Sequence, residues 1–203
     1  MTLLRLLLVG VVCTALAGCA LLGKSDPVVP RYFTPIDDAA PPQGKPQGNL
    51  RLHLGRIEGL AHLREPMVTR NPAHEIFYSE DRRWTERPEV YLRETISAAL
   101  FQQRGVVEVL SGRAVALDAE LTAFEELEKP QDTVRMQVTY LLHDERLALL
   151  QDTLTIDEPV AEAKGVSHEQ AVVEAYSQAL RAGVAQLTDR VVAKLNESAA
   201  AAP

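Results

Sequence analysis

Cys19 is the residue whose type and sequence context most clearly predict a chemical fate. It directly follows Leu16-Ala17-Gly18, and the segment before it carries one basic residue, Arg5, and an apolar run, Leu6–Val12. A charged start, a short apolar stretch and small residues before a cleavage point are typical of a secretory signal. The apolar stretch is shorter than the roughly 20 residues that span a bilayer. We therefore predict that residues 1–18 are a signal peptide and that Cys19 becomes the new N-terminus.

The segment Leu16-Ala17-Gly18-Cys19 resembles the lipobox of bacterial lipoproteins. That resemblance implies that the Cys19 thiol receives a diacylglycerol thioether and that the new N-terminus is acylated, with palmitate as the expected chain. One acyl chain binds a membrane only reversibly, so the three chains implied here would make the attachment effectively permanent. Ala20 stands where an aspartate commonly favours inner-membrane retention, so we expect the outer membrane, with the domain facing the periplasm. The alternative is an ordinary signal peptide with an accidental cysteine.

The other reactive side chains form no pattern of a catalytic or metal site. Cys13 leaves with the signal peptide, so the mature chain has no thiol besides Cys19 for a disulfide, a metal or a nucleophile. The histidines are scattered, and the chain has no HExxH, GxSxG, GxGxxG or GxxxxGKS/T motif. We therefore predict no catalytic residue, no metal ligand and no cofactor. Four carboxylates near the end of one predicted strand are interpreted as a solvated strand end: Glu120, Glu125, Glu126 and Glu128.

Size and charge limit the organisation of the mature chain and its partners. Removal of the 18 signal residues from 203 leaves 185, enough for one ordinary domain and a tether. Because Arg5 leaves with the signal, the formal charge falls from −7 to −8, which argues against nucleic acid as a partner. Residues 19–49 are rich in proline and glycine and are predicted to be a tether of roughly 30 Å. Within it, residues 31–34 are β-prone and could form an edge strand; residues 197–203 are predicted to be a disordered tail.

Residues 50–196 form the predicted folded domain. Alternating apolar residues predict strands at 50–57 and 75–78, followed by a helix over 88–104 that begins at Pro88 and stops at Gly105. Three further alternating segments joined by short turns predict an antiparallel meander: 115–122, 134–142 and 148–156. Ser167 and Gln170 have the spacing of a capping box before a helix over 168–196. We therefore predict an α+β fold, a largely antiparallel sheet with two long helices packed on one face.

The segment from Leu60 to Pro88 contains the residues that we consider most suited to contact a partner. They are apolar, aromatic or basic side chains close to the first helix: Leu63, Met67, Arg70, Tyr78 and Trp84. A purely structural interpretation is equally open at this stage. In that interpretation Trp84 locks the loop onto the start of the helix, and Arg70 pairs with Glu75 or Glu86.

Taken together, the motifs of this segment resemble those of one family. A strand, then Leu-X-X-Pro-Met-Val-X-Arg, an aromatic strand, Trp-X-Glu-X-Pro and a helix are similar to the ABC-type transport auxiliary lipoproteins, the PqiC-like family found beside MCE-domain lipid transport systems. The resemblance covers about residues 31–195, although the tether between Thr34 and Leu50 is longer and richer in proline than expected. It implies partnership with an MCE-domain protein, an ABC permease and its ATPase, and a possible ring-shaped homo-oligomer.

Three functions follow from these observations and differ in what they require of the domain. The first is a non-catalytic docking subunit, fixed at the outer membrane through Cys19, for an intermembrane lipid transporter. The second is a periplasm-facing carrier that holds an acyl chain between the sheet and the helices. The third, a periplasmic hydrolase, has no support from any motif.

Overall fold

The computed structural model of the protein describes residues 27–35, 50–111, 113–128, 132–161 and 163–201. The predicted signal peptide, Cys19, most of the predicted tether and most of the turn at 129–132 lie outside these residues. Within the described part, no helix has both the length and the apolar character needed to cross a membrane.

Eight strands form one mixed sheet, and two helices complete the domain, so the predicted α+β class is confirmed. The strands are β1 (Arg31–Phe33), β2 (Arg51–Gly59), β3 (Pro66–Arg70), β4 (Ile76–Trp84), β5 (Val107–Glu108), β6 (Val115–Leu127), β7 (Thr133–His143) and β8 (Ala148–Pro159). The helices are α1 (Pro88–Ser97), which continues as a π-helical segment over Ala98–Gln103, and α2 (His168–Ala201).

Strand β6 organises the sheet because it is bordered along its whole length. On one side β7 runs antiparallel to it and β8 runs antiparallel to β7, which is the predicted meander. On the other side β2 pairs with the first half of β6 and β3 with its last residues, both parallel. Beyond β3 come β4 and then β1, whereas the short β5 lies beyond β2. The sheet is therefore mixed, with the longest ladders antiparallel and the joins of β1, β2, β3 and β5 parallel.

Helix α1 follows the local signals that predicted it. Pro88 occupies the first turn, where its missing N–H costs no hydrogen bond, and Tyr91, Leu92 and Ile96 are buried. The π-helical segment ends before Gly105, whose φ of 67° is the left-handed conformation that glycine adopts readily. The predicted helix over 88–104 is thus one short α-helix with a π-helical extension, and only the second helix of the domain is long.

Helix α2 begins with the predicted capping box. The Ser167 hydroxyl accepts a hydrogen bond from the Gln170 N–H at 3.2 Å, and the Gln170 side chain accepts one from the Ser167 N–H at 3.1 Å. The helix ends at Ala201, five residues beyond the predicted end at 196, so part of the predicted tail is helical. Its apolar stripe packs on β7, β8 and α1 and encloses the core against the inner face of the sheet.

Candidate functional site

The segment predicted to meet a partner folds as the β3–β4 hairpin, at the corner of the sheet next to β1. Its tip is organised by Asn71, whose side-chain oxygen accepts hydrogen bonds from the N–H groups of Ala73 and Glu75, both at 2.9 Å. The Asn71 amide also donates to the Glu75 carboxylate at 2.7 Å. His74 adopts a φ of 65°, which the turn requires. The hairpin is thus an ordered extension of the sheet.

Three of the five predicted partner-binding residues lie in the core. Leu63, Met67 and Trp84 are each 1% exposed or less, so they offer no surface to a partner in this conformation. The sequence could not separate the two interpretations, because large apolar side chains serve equally in cores and at interfaces.

Trp84 instead anchors the end of the hairpin. Its ring lies 4.8 Å from that of Tyr176 on α2 and 6.2 Å from that of Tyr91 on α1, both edge to face, and 5.5 Å from that of Phe124 on β6. Such aromatic pairs add about 0.5–1.5 kcal/mol each beyond the burial of area. The structural interpretation of Trp84 is therefore the one that the fold supports.

Arg70 pairs with Glu125 on β6. The structural interpretation of the sequence had predicted Glu75 or Glu86 as its partner. The guanidinium donates to both carboxylate oxygens, at 2.6 and 2.9 Å, and these hydrogen bonds raise the pKa of Arg70 above its ordinary value. Glu125 is 2% exposed, which makes this a buried, bidentate pair.

A second ion-paired carboxylate follows on the same strand. Glu126 accepts a hydrogen bond from Arg82 of β4 at 3.0 Å and lies 3.5 Å from the His168 ring nitrogen at the start of α2. Glu125 and Glu126 are therefore not part of a solvated strand end; they hold the hairpin and α2 onto β6. Their paired arginines, 55 and 44 residues away in sequence, gave no local signal of this role.

The predicted edge strand at 31–34 is observed as β1, which pairs parallel with the end of β4. Arg31 donates to Asp81 at 2.7 Å and reaches Glu169 of α2 at 3.5 Å. The hydrogen bond from Arg31 holds the pKa of the Asp81 carboxyl below its ordinary value. This one side chain therefore ties the edge strand to both the sheet and the second helix.

Tyr78 is the most exposed of the five predicted contact residues. It and its neighbour Phe77 are each half exposed near the start of β4. Phe77 was not among the predicted contact residues, although successive side chains of a strand point to opposite faces, so Phe77 and Tyr78 cannot both face the core. The Arg70 side chain is 26% exposed, and its guanidinium is bonded to Glu125.

The opposite edge of the sheet is a second feature that sequence did not single out. Strand β8 is 12 residues long, and among the described strands it pairs with β7 alone. The Thr153 N–H donates to the Asp152 carboxylate at 2.8 Å, so it points away from the β7 ladder. Successive residues of a strand direct their backbone groups to alternate sides. Thr155 is two residues after Thr153, so its N–H also points outward. This edge presents backbone donors and acceptors to solvent.

A cleft of about 520 Å³ lies between β2 and α1. Its lining mixes Leu54, Ile57 and Val90 with Glu89, Arg93, Glu94 and Glu108. Sites for apolar ligands are lined mainly by hydrophobic side chains, so this charged lining does not suit an acyl chain. Between the helices and the sheet, the space is filled by core side chains such as Tyr176, whose pKa is raised well above its ordinary value by burial. Within the described residues, no group of three potential metal ligands comes together.

Comparisons with known proteins agree with this architecture. A protein of the DUF330 family from Xanthomonas campestris is similar in structure, with a TM-score of 0.62, 15% sequence identity and coverage of 85% of this chain and 96% of that one. An uncharacterized protein gives a TM-score of 0.61 at 13% identity, over 80% of this chain and 99% of that one. A hypothetical protein from Chlamydia trachomatis gives 0.52 at 9% identity, over 73% and 98% of the two chains.

These identities are low, so the structural matches establish the fold and nothing further. No curated protein matches the sequence. The family model described as the ABC-type transport auxiliary lipoprotein component matches residues 33–192, which span strands β2 to β8, helix α1 and helix α2 as far as residue 192. The chain therefore belongs to the family of ABC-type transport auxiliary lipoproteins.

Proposed function

We propose that this protein is a non-catalytic docking subunit of an ABC transporter that moves lipids between membranes with an MCE-domain protein. In this proposal the acylated Cys19 fixes the chain in the outer membrane, and the domain faces the periplasm. Membership of the transport auxiliary lipoprotein family is the observation that carries the proposal. The lipobox and Ala20 support the lipid anchor and its outer-membrane location.

The sheet supports this role because the edge formed by β1 and the edge formed by β8 lie on opposite sides of it. In the sheet, the strands follow the order β1-β4-β3-β6-β7-β8. Of these strands, β1 is the one nearest to Cys19 in sequence, and β8 forms the opposite edge. Five strand spacings of about 4.8 Å separate the two edges by roughly 24 Å. An edge away from the anchor is the one that a transporter arriving through the periplasm can reach.

The partner contact that we propose is strand addition to β8. An extended segment that pairs with an open edge gains main-chain hydrogen bonds along its length. Strand β8 offers an outward N–H group at Thr155, whereas that of Thr153 is already bonded to Asp152. The carboxylates of Asp152 and Asp157 are paired with Arg190 and Arg135. The edge thus carries little uncompensated charge to repel an added strand.

Thr155→Pro tests this contact with Thr155→Ala as its matched control. Proline removes one outward N–H and is tolerated on an edge strand, so the β7–β8 ladder should remain intact. Both variants lose the hydrogen bond that the Gln137 amide donates to the Thr155 hydroxyl at 2.8 Å. Each full-length variant is affinity-purified from solubilised membranes, and the recovered MCE and ABC components are identified by mass spectrometry.

We expect the Ala variant to recover these components as wild type does and the Pro variant to lose most of them, with equal thermal stability of the two. Equal recovery by both variants would show that the β8 edge is not the contact. Failure of the wild-type protein to recover any MCE or ABC component would refute the docking role itself. Co-purified lipid in the wild-type protein would favour the carrier function instead.

A further inference from the structure

The pairing of β1 with β4 shortens the connection between the anchor and the domain. The prediction gave residues 19–49 to one tether, yet the chain is already fixed to the sheet at Arg31. Arg31 lies twelve positions after Cys19 in the sequence. A flexible chain of this length has a mean span of about 19 Å and a maximum of roughly 40 Å. The corner of the sheet where β1 begins must therefore stay close to whatever holds Cys19.

That same corner carries a concentration of exposed apolar side chains. Of the nine large hydrophobic side chains that are exposed in the described residues, five lie on β1, just before it, or near the start of β4. They define the anchor-edge patch: Val28, Val29, Tyr32, Phe77 and Tyr78. Each is at least half exposed, with Val29 at 76%. A group of exposed apolar residues on one corner indicates a binding surface.

The topology brings the two parts of the patch together. Because β1 is parallel to β4 and Arg31 pairs with Arg82, the residues before Arg31 run towards the beginning of β4. Val28 lies three residues before Arg31, and Tyr78 lies four before Arg82 across an irregular stretch of β4, so the backbone of each is at most about 13 Å from that pair. The hydrogen bonds of Arg31 to Asp81 and Glu169 keep this arrangement in place.

We propose that the anchor-edge patch lies in the interface of the bilayer that holds the acyl chains of Cys19. Exposed tyrosine, valine and phenylalanine side chains suit the boundary between headgroups and acyl chains, where aromatic rings are enriched. The short connection keeps the patch at a high effective concentration near the membrane, so even weak insertion is populated. This contact orients the domain with the β1 corner down and β8 away from the membrane. It rests on the lipid anchor of the proposed function.

The absence of other thiols in the mature chain allows a site-specific test. The full-length protein, acylated at Cys19, carries Tyr78→Cys or Val29→Cys and is labelled with an environment-sensitive fluorophore. Leu147→Cys is the matched control, because Leu147 is 66% exposed and lies in the β7–β8 turn. That turn is at the Ala116 end of β6, about 36 Å along the strand from the Leu127 end where the hairpin lies.

Each labelled protein is reconstituted into vesicles of phosphatidylethanolamine and phosphatidylglycerol, with or without brominated acyl chains, and is also floated on a density gradient. We expect brominated lipid to quench the labels at positions 78 and 29 at least twofold more than the label at 147. If the protein floats and all three labels are quenched equally little, the patch does not touch the bilayer, while the lipid anchor stands. A label that is shielded from aqueous iodide but not quenched by lipid indicates a protein contact and also overturns the proposal. Protein that does not float refutes the anchor, and the membrane contact with it.

Discussion

The buried pair of Arg70 and Glu125 offers the most direct test of how the hairpin is held on the sheet. Arg70→Met leaves the Glu125 carboxylate buried without its hydrogen bonds at 2.6 and 2.9 Å. Removal of one partner from a fully buried pair costs about 3–5 kcal/mol. Two features lower this cost. The Arg70 side chain is 26% exposed, so the pair is not fully buried, and the cationic Arg135 lies opposite Glu125 on β7. We therefore expect Arg70→Met to lower the free energy of unfolding by about 2–3 kcal/mol.

Trp84 makes the measurement simple. It is the only tryptophan in the sequence and is buried beside the hairpin, so its fluorescence reports the loss of the core. For a domain of this size, 1 kcal/mol corresponds to about 2–4 °C in the melting temperature. The variant should therefore melt about 5–10 °C below wild type. Coincident transitions by fluorescence and circular dichroism establish that one cooperative unit is followed.

Two controls separate burial of charge from loss of the arginine side chain. Arg181→Met removes an exposed pair with Glu174, whose atoms are 3.1 Å apart, and should cost less than about 1 kcal/mol. Arg70→Met combined with Glu125→Leu removes both charges and should recover most of the lost stability, since an apolar pair replaces the ion pair. The reasoning fails if Arg70→Met costs no more than Arg181→Met, or if the double variant is less stable than Arg70→Met alone.

Two further predictions concern the packing of α2 and the charge pair on β7 and β8. Gly183→Val should lower the free energy of unfolding by about 1–3 kcal/mol in a thermal melt, because even a Cβ there would lie 3.0 Å from the Met136 sulfur; a stability equal to wild type would contradict this packing. The hydrogen bonds from Arg135 lower the pKa of Asp157 in the folded protein. The pair therefore contributes its full stability above the ordinary pKa of an aspartate, about 3.9. This contribution is lost as the pH falls through the lower pKa of the folded state. The melting temperature of wild type should exceed that of Asp157→Asn at pH 7, and this difference should shrink towards pH 3; a difference independent of pH would refute the assignment.

Elements with a strong local period could be predicted from the sequence. Helix α2 combines apolar residues at three- and four-residue spacing with a capping box, and the meander of β6, β7 and β8 combines strict alternation with short turns. Each of these signals lies within one element or between neighbours in sequence. The parallel joins of β2 and β3 to β6 have no such signal, because the crossover that creates them places residues more than 50 positions apart side by side.

The same limit explains the outcome at the candidate site. The sequence indicates an unusual segment around Trp84, but it could not show that Phe124 and Tyr176 pack against the ring. Glu125 was assigned to solvent because its neighbours in sequence are acidic; only the fold brings Arg70 to it. A charged residue near the end of a strand is solvated or buried according to its neighbours in space, and one sequence does not give these neighbours.

The short strand β1 sets how far the proposed docking subunit can extend from its membrane. With β1 paired, the first fixed residue is Arg31, twelve positions after Cys19; without that pairing, it would be near Leu50, 31 positions after Cys19. The mean span of the connection would then rise from about 19 Å to about 31 Å. Such a chain would let the domain rotate freely, and the anchor-edge patch would no longer be directed at the bilayer. In the proposed arrangement, the pairing of β1 with β4 and the hydrogen bonds of Arg31 to Asp81 and Glu169 would limit how the domain turns on its lipid tether, so that the β8 edge faces the partner.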